Sequence, residues 1–169
     1  MSAPGVLFVG NFLSARTGAR AYCEDLTAQL ESRTWKLVRT SHERGRSRRL
    51  VDMLYTAWAA RHDYRVAHVD VYSGNGFMWA EAVCFELRRL GKPVVLTLHG
   101  GSLPSFARRW PRRTRALLDT AAAITAPSGY QRDAMASYAR AIRIVPNAIE
   151  SSAMRFRRNV VSVSAPPTI

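Results

Sequence analysis

The sequence predicts an α/β fold, a three-layer α/β/α sandwich around a mainly parallel sheet of about six strands. Two observations carry this. Short apolar or β-branched runs bounded by glycine, proline or asparagine alternate six times with stretches whose apolar residues recur at helical spacing. Alternation of that kind means βαβ units, because each parallel connection needs a crossover.

Val6 to Val9, between Pro4-Gly5 and Gly10-Asn11, reads as the first strand. A small-residue loop from Ser14 to Gly18 follows, and Tyr22, Leu26 and Leu30 mark a helix that begins near Gly18. Trp35 to Thr40 is the second strand. The stretch from Ser41 to Arg49, with Arg44, Arg46, Arg48 and Arg49, is too polar to be buried, and Val51, Leu54, Tyr55 and Trp58 then give an amphipathic helix. Val66 to Tyr72 is the third strand, closed by the turn-forming loop Ser73-Gly74-Asn75-Gly76. From Phe77 to Leu90 a helix turns Trp79, Val83, Leu87 and Leu90 to the sheet, and Gly91 stops it. Val94 to Leu98 is the central strand, buried on both faces. Pro111 to about Thr120 is a helix with proline in its first turn, and Ala122 to Ala126 is the fifth strand. Ser128 with Gln131 forms a capping box for a helix through about Tyr138, and Ile142 to Val145 is the sixth strand. Residues 1–150 make one domain, and 151–169 a tail or truncated linker.

The 169 residues suit one core. Charge is the unusual quantity: 23 Arg and 2 Lys against 12 acids give a net charge of +13. Such a surface attracts phosphorylated sugars, anionic lipids and nucleic acid alike. A helix-turn-helix signature, a metal-bound finger or an aromatic strand platform is missing, so nucleic acid has only charge in its favour. Cys23 and Cys84 lie among apolar neighbours without a C-x-x-C and read as buried thiols, which fits a reducing compartment. No apolar stretch approaches a membrane span. A cytoplasmic protein, with a basic and aromatic surface able to touch a bilayer, is the expectation.

His99 is the first candidate for chemistry. It stands where the central strand ends, on the side where open parallel sheets carry their sites. Gly100 and Gly101 behind it remove side-chain bulk and let backbone N–H groups approach a ligand. An imidazole there can accept a proton or donate a hydrogen bond to a sugar hydroxyl or phosphate. His42 and His62 read as surface residues and His68 as a hydrogen-bonded core histidine. The loop from Gly10 to Gly18 would bring Thr17 and Gly18 near His99, and Asn75 could bind a hydroxyl, although the turn alone explains it. Arg108, Arg109, Arg112, Arg113 and Arg115 cannot all face one way on a helix; those that share a side would form a ridge toward an acceptor phosphate or an anionic membrane. Glu81 and Glu86, five apart, lie on different helix faces and read as solvated. No metal-ligand spacing, G-x-S-x-G elbow or G-x-G-x-x-G loop is present, so metal, serine nucleophile and nicotinamide or flavin are not supported.

Four segments in order carry a resemblance: F-V-G-N-F-L-S-A-R-T-G-A-R-A-Y-C-E-D-L, L-T-L-H-G-G-S-L-P, I-T-A-P-S-G-Y-Q-R-D-A-M and I-R-I-V-P-N-A-I-E. Together they resemble the N-terminal, acceptor-side half of a retaining glycosyltransferase of the two-domain GT-B class, family 4, over Val6 to about Phe156. The resemblance implies a Rossmann-like domain facing a second one across a cleft, with a nucleoside diphosphate sugar as co-substrate and neither cofactor nor metal. It implies that Thr17 and Gly18 approach the donor diphosphate, where the family usually has two adjacent glycines. It puts His99 close to the transferred sugar, Ser128 at the start of the helix after the fifth strand, and Asn147 with Glu150 near the path to the second domain. That donor-binding domain is expected to be absent from these 169 residues.

Two readings follow. One is the acceptor-side half of a glycosyltransferase, inactive alone, acting on a saccharide or lipid-linked acceptor and completed by a donor domain or separate partner chain. The other is a non-catalytic module of the same fold that binds anions, membrane or a partner. The uncovered face of a half-enzyme also favours a homo-oligomer.

Overall fold

A computed structural model of the chain describes residues 5–10, 12, 22–31, 35–40, 43 and 45–147. Thr17, Gly18, His42, Arg44, Glu150 and the tail 151–169 lie outside the described residues. Six strands appear in order: β1 (Val6–Val9), β2 (Leu37–Thr40), β3 (Val66–Val71), β4 (Val94–Leu98), β5 (Ala123–Ala126) and β6 (Arg143–Ile144). Between them run α1 (Tyr22–Glu31), α2 (Arg46–Ala59), α3 (Asn75–Arg89), α4 (Leu103–Arg109), α5 (Pro111–Leu118) and α6 (Gly129–Met135), the last continued by a 3-10 turn at Ala136–Tyr138. All strand pairs are parallel, in the order β2-β1-β3-β4-β5-β6. The fold is the expected Rossmann-like α/β one.

The layers are unequal. Alternate strand residues Leu7, Val9, Ala67, Val69, Val71, Leu96 and Leu98 meet Met53 of α2, Phe77 and Val83 of α3, Leu103 of α4, Leu117 of α5 and Met135 of α6 in one core. The opposite set, Val6 and Phe8, packs with Cys23, Leu26 and Leu30 of α1 in a smaller core. Among the described helices α1 is thus alone on its face. Right-handed crossovers require this: the chain moves outward once, from β1 to β2, and then steps back past β1 and on through β6, which sends all later helices to the other side.

Three sequence expectations need correction. The inward face of α2 is not Val51, Tyr55 and Trp58, which are 65%, 65% and 51% exposed; it is Arg49, Met53 and Ala57, at 9%, 4% and 0%. Of the predicted four only Leu54 packs against the core. Two apolar stripes share this helix, and the buried one begins with an arginine, which hides it from a hydrophobicity pattern. Arg49 is therefore not part of a solvated cluster: it reaches down to donate from Nη2 to the Gly10 carbonyl at 2.8 Å. Asn75 is not a loop residue but opens α3, and the turn is made one residue earlier by Gly74 at φ 65°.

Several buried polar groups tie elements together. Tyr64 donates its hydroxyl to the Ala57 carbonyl at 2.7 Å and ties the end of α2 to the start of β3. Cys23 and Cys84 are both buried, and burial pushes the Cys84 thiol up to about 12, out of reach of redox chemistry at neutral pH. His68 lies in the sheet with Nε2 2.7 Å from Thr97 Oγ1. Burial lowers its pKa, against the raising effect of Asp70, and His99 lowers it further.

The corrected α2 face gives a direct check. Met53→Ala should cost about 2–5 kcal/mol in chemical denaturation, whereas Val51→Ala should stay within about 0.5 kcal/mol. A pH dependence follows from His68. Its folded pKa lies below the ordinary 6.5, so the unfolded state takes up the proton first, and stability should fall as pH drops below that value. Denaturation midpoints between pH 7 and 5 should show a shallower fall for His68→Gln than for the parent chain.

Candidate functional site

The carboxyl ends of all six strands meet at one edge of the sheet, and strand order reverses beside β1 and β3, where such sheets hold ligands. His99 is the first residue past β4. Its backbone N–H donates to the Val71 carbonyl at 2.8 Å and so extends the β3–β4 ladder by one step. Gly100, at φ 85°, then turns the chain, a conformation that favours glycine, and Gly101 has open space where a side chain would stand.

Sheet register assembles the rest. Asp70 pairs with Thr97 across β3 and β4, and Thr97 with Thr125 across β4 and β5. The period of two puts His68 beside Asp70 on one face and Thr97 in line with His99. A continuous polar row results: His99 Nε2 lies 3.2 Å from Asp70 Oδ1, His68 Nε2 is 2.7 Å from Thr97 Oγ1, and Thr97 Oγ1 is 2.7 Å from Thr125 Oγ1. His68 Nδ1 stands 3.8 Å from the same Asp70 oxygen, too far for a hydrogen bond.

The Asp70–His99 pair defines what the imidazole can do. A carboxylate accepts only, so the shared proton belongs to His99 Nε2, and Nδ1 is left as the ring's acceptor. His99 is only 5% exposed. Its ring is stacked on Tyr72 at 5.2 Å between centroids and meets Tyr22 at 4.8 Å. Burial and then the Asp70 charge raise both phenols, so they remain protonated and can donate. The imidazole stands at the expected edge, but it is enclosed by two rings and oriented by a carboxylate rather than open to solvent.

Gly100 is tied in from the other side. Gln131 of α6 reaches its carbonyl with Nε2 at 3.5 Å, and Ser128 caps the same helix by accepting from the Gln131 N–H at 3.2 Å. Ser128 thus belongs to the same neighbourhood through Gln131. Asn147 is exposed beyond β6, whose end is held beside β5 by the Val145 N–H on the Ala126 carbonyl at 2.9 Å. Asn75 is exposed at the start of α3. No contact joins Asn75 or Asn147 to His99 among the described residues.

The arginine ridge is smaller than its sequence. Arg113 makes a two-pronged pair with Glu81 at the surface, its Nε donating to Oε1 at 2.6 Å, so this arginine of the ridge already has an anionic partner within the chain. Arg108 bonds Ser105 Oγ at 2.9 Å and Arg109 lies over the Trp110 ring, while Arg108, Arg109 and Arg112 stay exposed. Among the described residues no three His, Cys, Asp or Glu side chains form a metal-binding group. No described helix is long and apolar enough to cross a membrane.

Sequence reading missed Asp70, Tyr72 and Arg49. Asp70 carried a signal: aspartate is depleted in strands, and V-A-H-V-D-V puts it two residues from a histidine on one face. Arg49 carried none that composition could separate from its neighbours.

Among curated proteins none matches the chain significantly. The family model for Glycosyltransferase Family 4 matches residues 16–153, a span that includes every strand after β1, the Asp70–His99 pair and the capped helix α6. With most of its length matched and a parallel Rossmann-like sheet beneath the site, the chain belongs to Glycosyltransferase Family 4.

Proposed function

We propose that this chain is the acceptor-side domain of a retaining glycosyltransferase that moves a hexosyl unit from a nucleoside diphosphate sugar to an acceptor hydroxyl. The observation that carries the proposal is the Asp70–His99 pair at the carboxyl edge of the sheet. Asp70 Oδ1 holds His99 Nε2 at 3.2 Å, and Tyr22 and Tyr72 fix the ring plane. His99 then presents Nδ1 as an acceptor for a sugar or acceptor hydroxyl, with its orientation set before binding. The Gly100 turn leaves room for that hydroxyl beside the strand end.

Stabilising the departing diphosphate is a separate task, and it needs donors fixed where charge develops. In this reading the loop with Thr17 and Gly18 supplies one side, and a donor-binding domain or partner chain across the cleft supplies the other. The 169 residues alone are then a binding half, without significant turnover. The rival reading is a module that binds anions, a membrane or a partner. It draws on the exposed Arg108, Arg109 and Arg112 and on the near-complete burial of His99.

The test is binding of candidate acceptors to the purified chain, followed by calorimetry. His99→Ala should weaken binding about tenfold, the scale of one well-made hydrogen bond. Asp70→Asn should weaken it similarly while the ring survives, because the amide can donate to Nε2 and the tautomer then reverses; nitrogen NMR should show the proton on Nδ1. Unchanged acceptor affinity in both variants, with tight and salt-sensitive binding to anionic liposomes, would replace the transferase reading with the module. Robust sugar transfer by the chain alone would refute the half-enzyme.

A further inference from the structure

Beside the Asp70–His99 pair, between β1, β3, α2 and α3, lies a cavity of about 220 Å³. Val9 of β1, Val69 of β3, Met53 of α2 and Trp79 and Ala80 of α3 make its walls, with Gly10, Gly76, Arg49, Asp70 and Tyr72 around them. Phe77 and Val83, on the same helix as Trp79 and Ala80, are fully buried, so the gap is local to this spot. Tyr72 joins the cavity to the site already described: the ring that stacks on His99 is also a cavity wall.

From this we infer that the acceptor is an amphiphilic alcohol, whose apolar group of about phenyl size fills the cavity while its hydroxyl turns to Asp70 and Tyr72, the lining residues that touch His99. The inference rests on the transferase reading for the word acceptor; occupation of the cavity does not. Size is sufficient, because a cavity of roughly 150 Å³ with aliphatic walls already takes a benzene ring. Chemistry selects against a free sugar. A pyranose placed among Val9, Met53, Val69, Trp79 and Ala80 would leave several hydroxyls unpaired, each at a cost of about 1–3 kcal/mol. The polar side chains at hand are Arg49, Asp70 and Tyr72, and Arg49 already gives Nη2 to the Gly10 carbonyl. Arg49 lies 5.5 Å from the centre of the Trp79 ring and holds that wall in place. A Cβ at Gly76 would stand 3.0 Å from Tyr72 Cβ, a tight contact that shows how closely α3 approaches the Tyr72 wall.

The experiment is methyl NMR on the 169-residue chain, titrated separately with benzyl alcohol and with methyl β-D-glucopyranoside. Benzyl alcohol should shift the Met53, Val9 and Val69 methyls in one saturable process, and the glucoside should leave them in place. Ala80→Leu, which fills the cavity, should weaken benzyl alcohol about tenfold or more. Tyr72→Ala removes a partly exposed ring without opening the core, and it should also weaken binding, by about fivefold. The tyrosine variant serves if the leucine variant does not fold. Methyl shifts caused by the glucoside and not by benzyl alcohol would overturn the inference, as would equal affinity in the parent and a folded Ala80→Leu chain. Cavity binding with no transfer from any nucleotide sugar to any alcohol, even once a donor domain is supplied, would instead sink the transferase reading and leave the cavity assignment standing.

Discussion

Everything in this molecule follows from the direction of its strands. A parallel pair cannot be closed by a short turn, so every strand is followed by a crossover, and every carboxyl end is delivered to the same edge. One outward step, from β1 to β2, and the return past β1 to β3 are what open a crevice there. The same path makes the layers unequal: five helices share one face, and α1 is alone among the described helices on the other. The thickly covered face is mostly apolar, with Thr40 bonded to Asp52 and Arg49 to the Gly10 carbonyl as its buried polar contacts to α2. The polar row of His68, Asp70, Thr97 and Thr125 lies on the thinner one, where a hydroxyl or imidazole costs less to accommodate.

Asp70 is the group that this arrangement has to hold. A carboxylate at 1% side-chain exposure is expensive unless it is paired and hydrogen-bonded. His99 supplies the bond, and His68, kept neutral by burial, stands near without competing for the proton. Threonines complete the row, because a hydroxyl can donate to one neighbour and accept from the next. Stability and the geometry of the candidate site are therefore tied at one residue: the carboxylate that needs His99 for its hydrogen bond also sets the orientation and tautomer of that ring.

The strands and their places along the chain were readable because parallel strands are short, apolar and fenced by glycine and proline; Val6–Val9 and Val94–Leu98 fall where the pattern puts them. Strand ends were less so, and β6 keeps only Arg143 and Ile144 of the predicted run, both exposed at the sheet edge. Helix facing failed at α2, where a buried arginine interrupts the inward stripe and Val51, Tyr55 and Trp58 imitate one. At the site, His99 could be found from its place after the central strand, whereas Asp70 could not be matched to it. Their meeting depends on β3 and β4 lying side by side in one register, which is a property of the sheet and not of either segment. Arg113 and Glu81 pair for the same kind of reason, across two helices that the chain brings together only after it folds.

Charge is subject to the same constraint. A surplus of 13 positive charges must stay at the surface, and several apolar rings are left there as well. The two are matched to each other: Arg61 lies over Trp58, Arg89 over Phe85, Arg109 over Trp110 and Arg115 over Tyr138, at 4.6 to 5.9 Å. A planar guanidinium can cover a ring and keep its hydration at the edge, which a lysine ammonium does less well. Those four arginines thus have a role without any external anion. An anionic partner therefore has to be argued from the arginines that carry no such duty, and high net charge alone does not supply one.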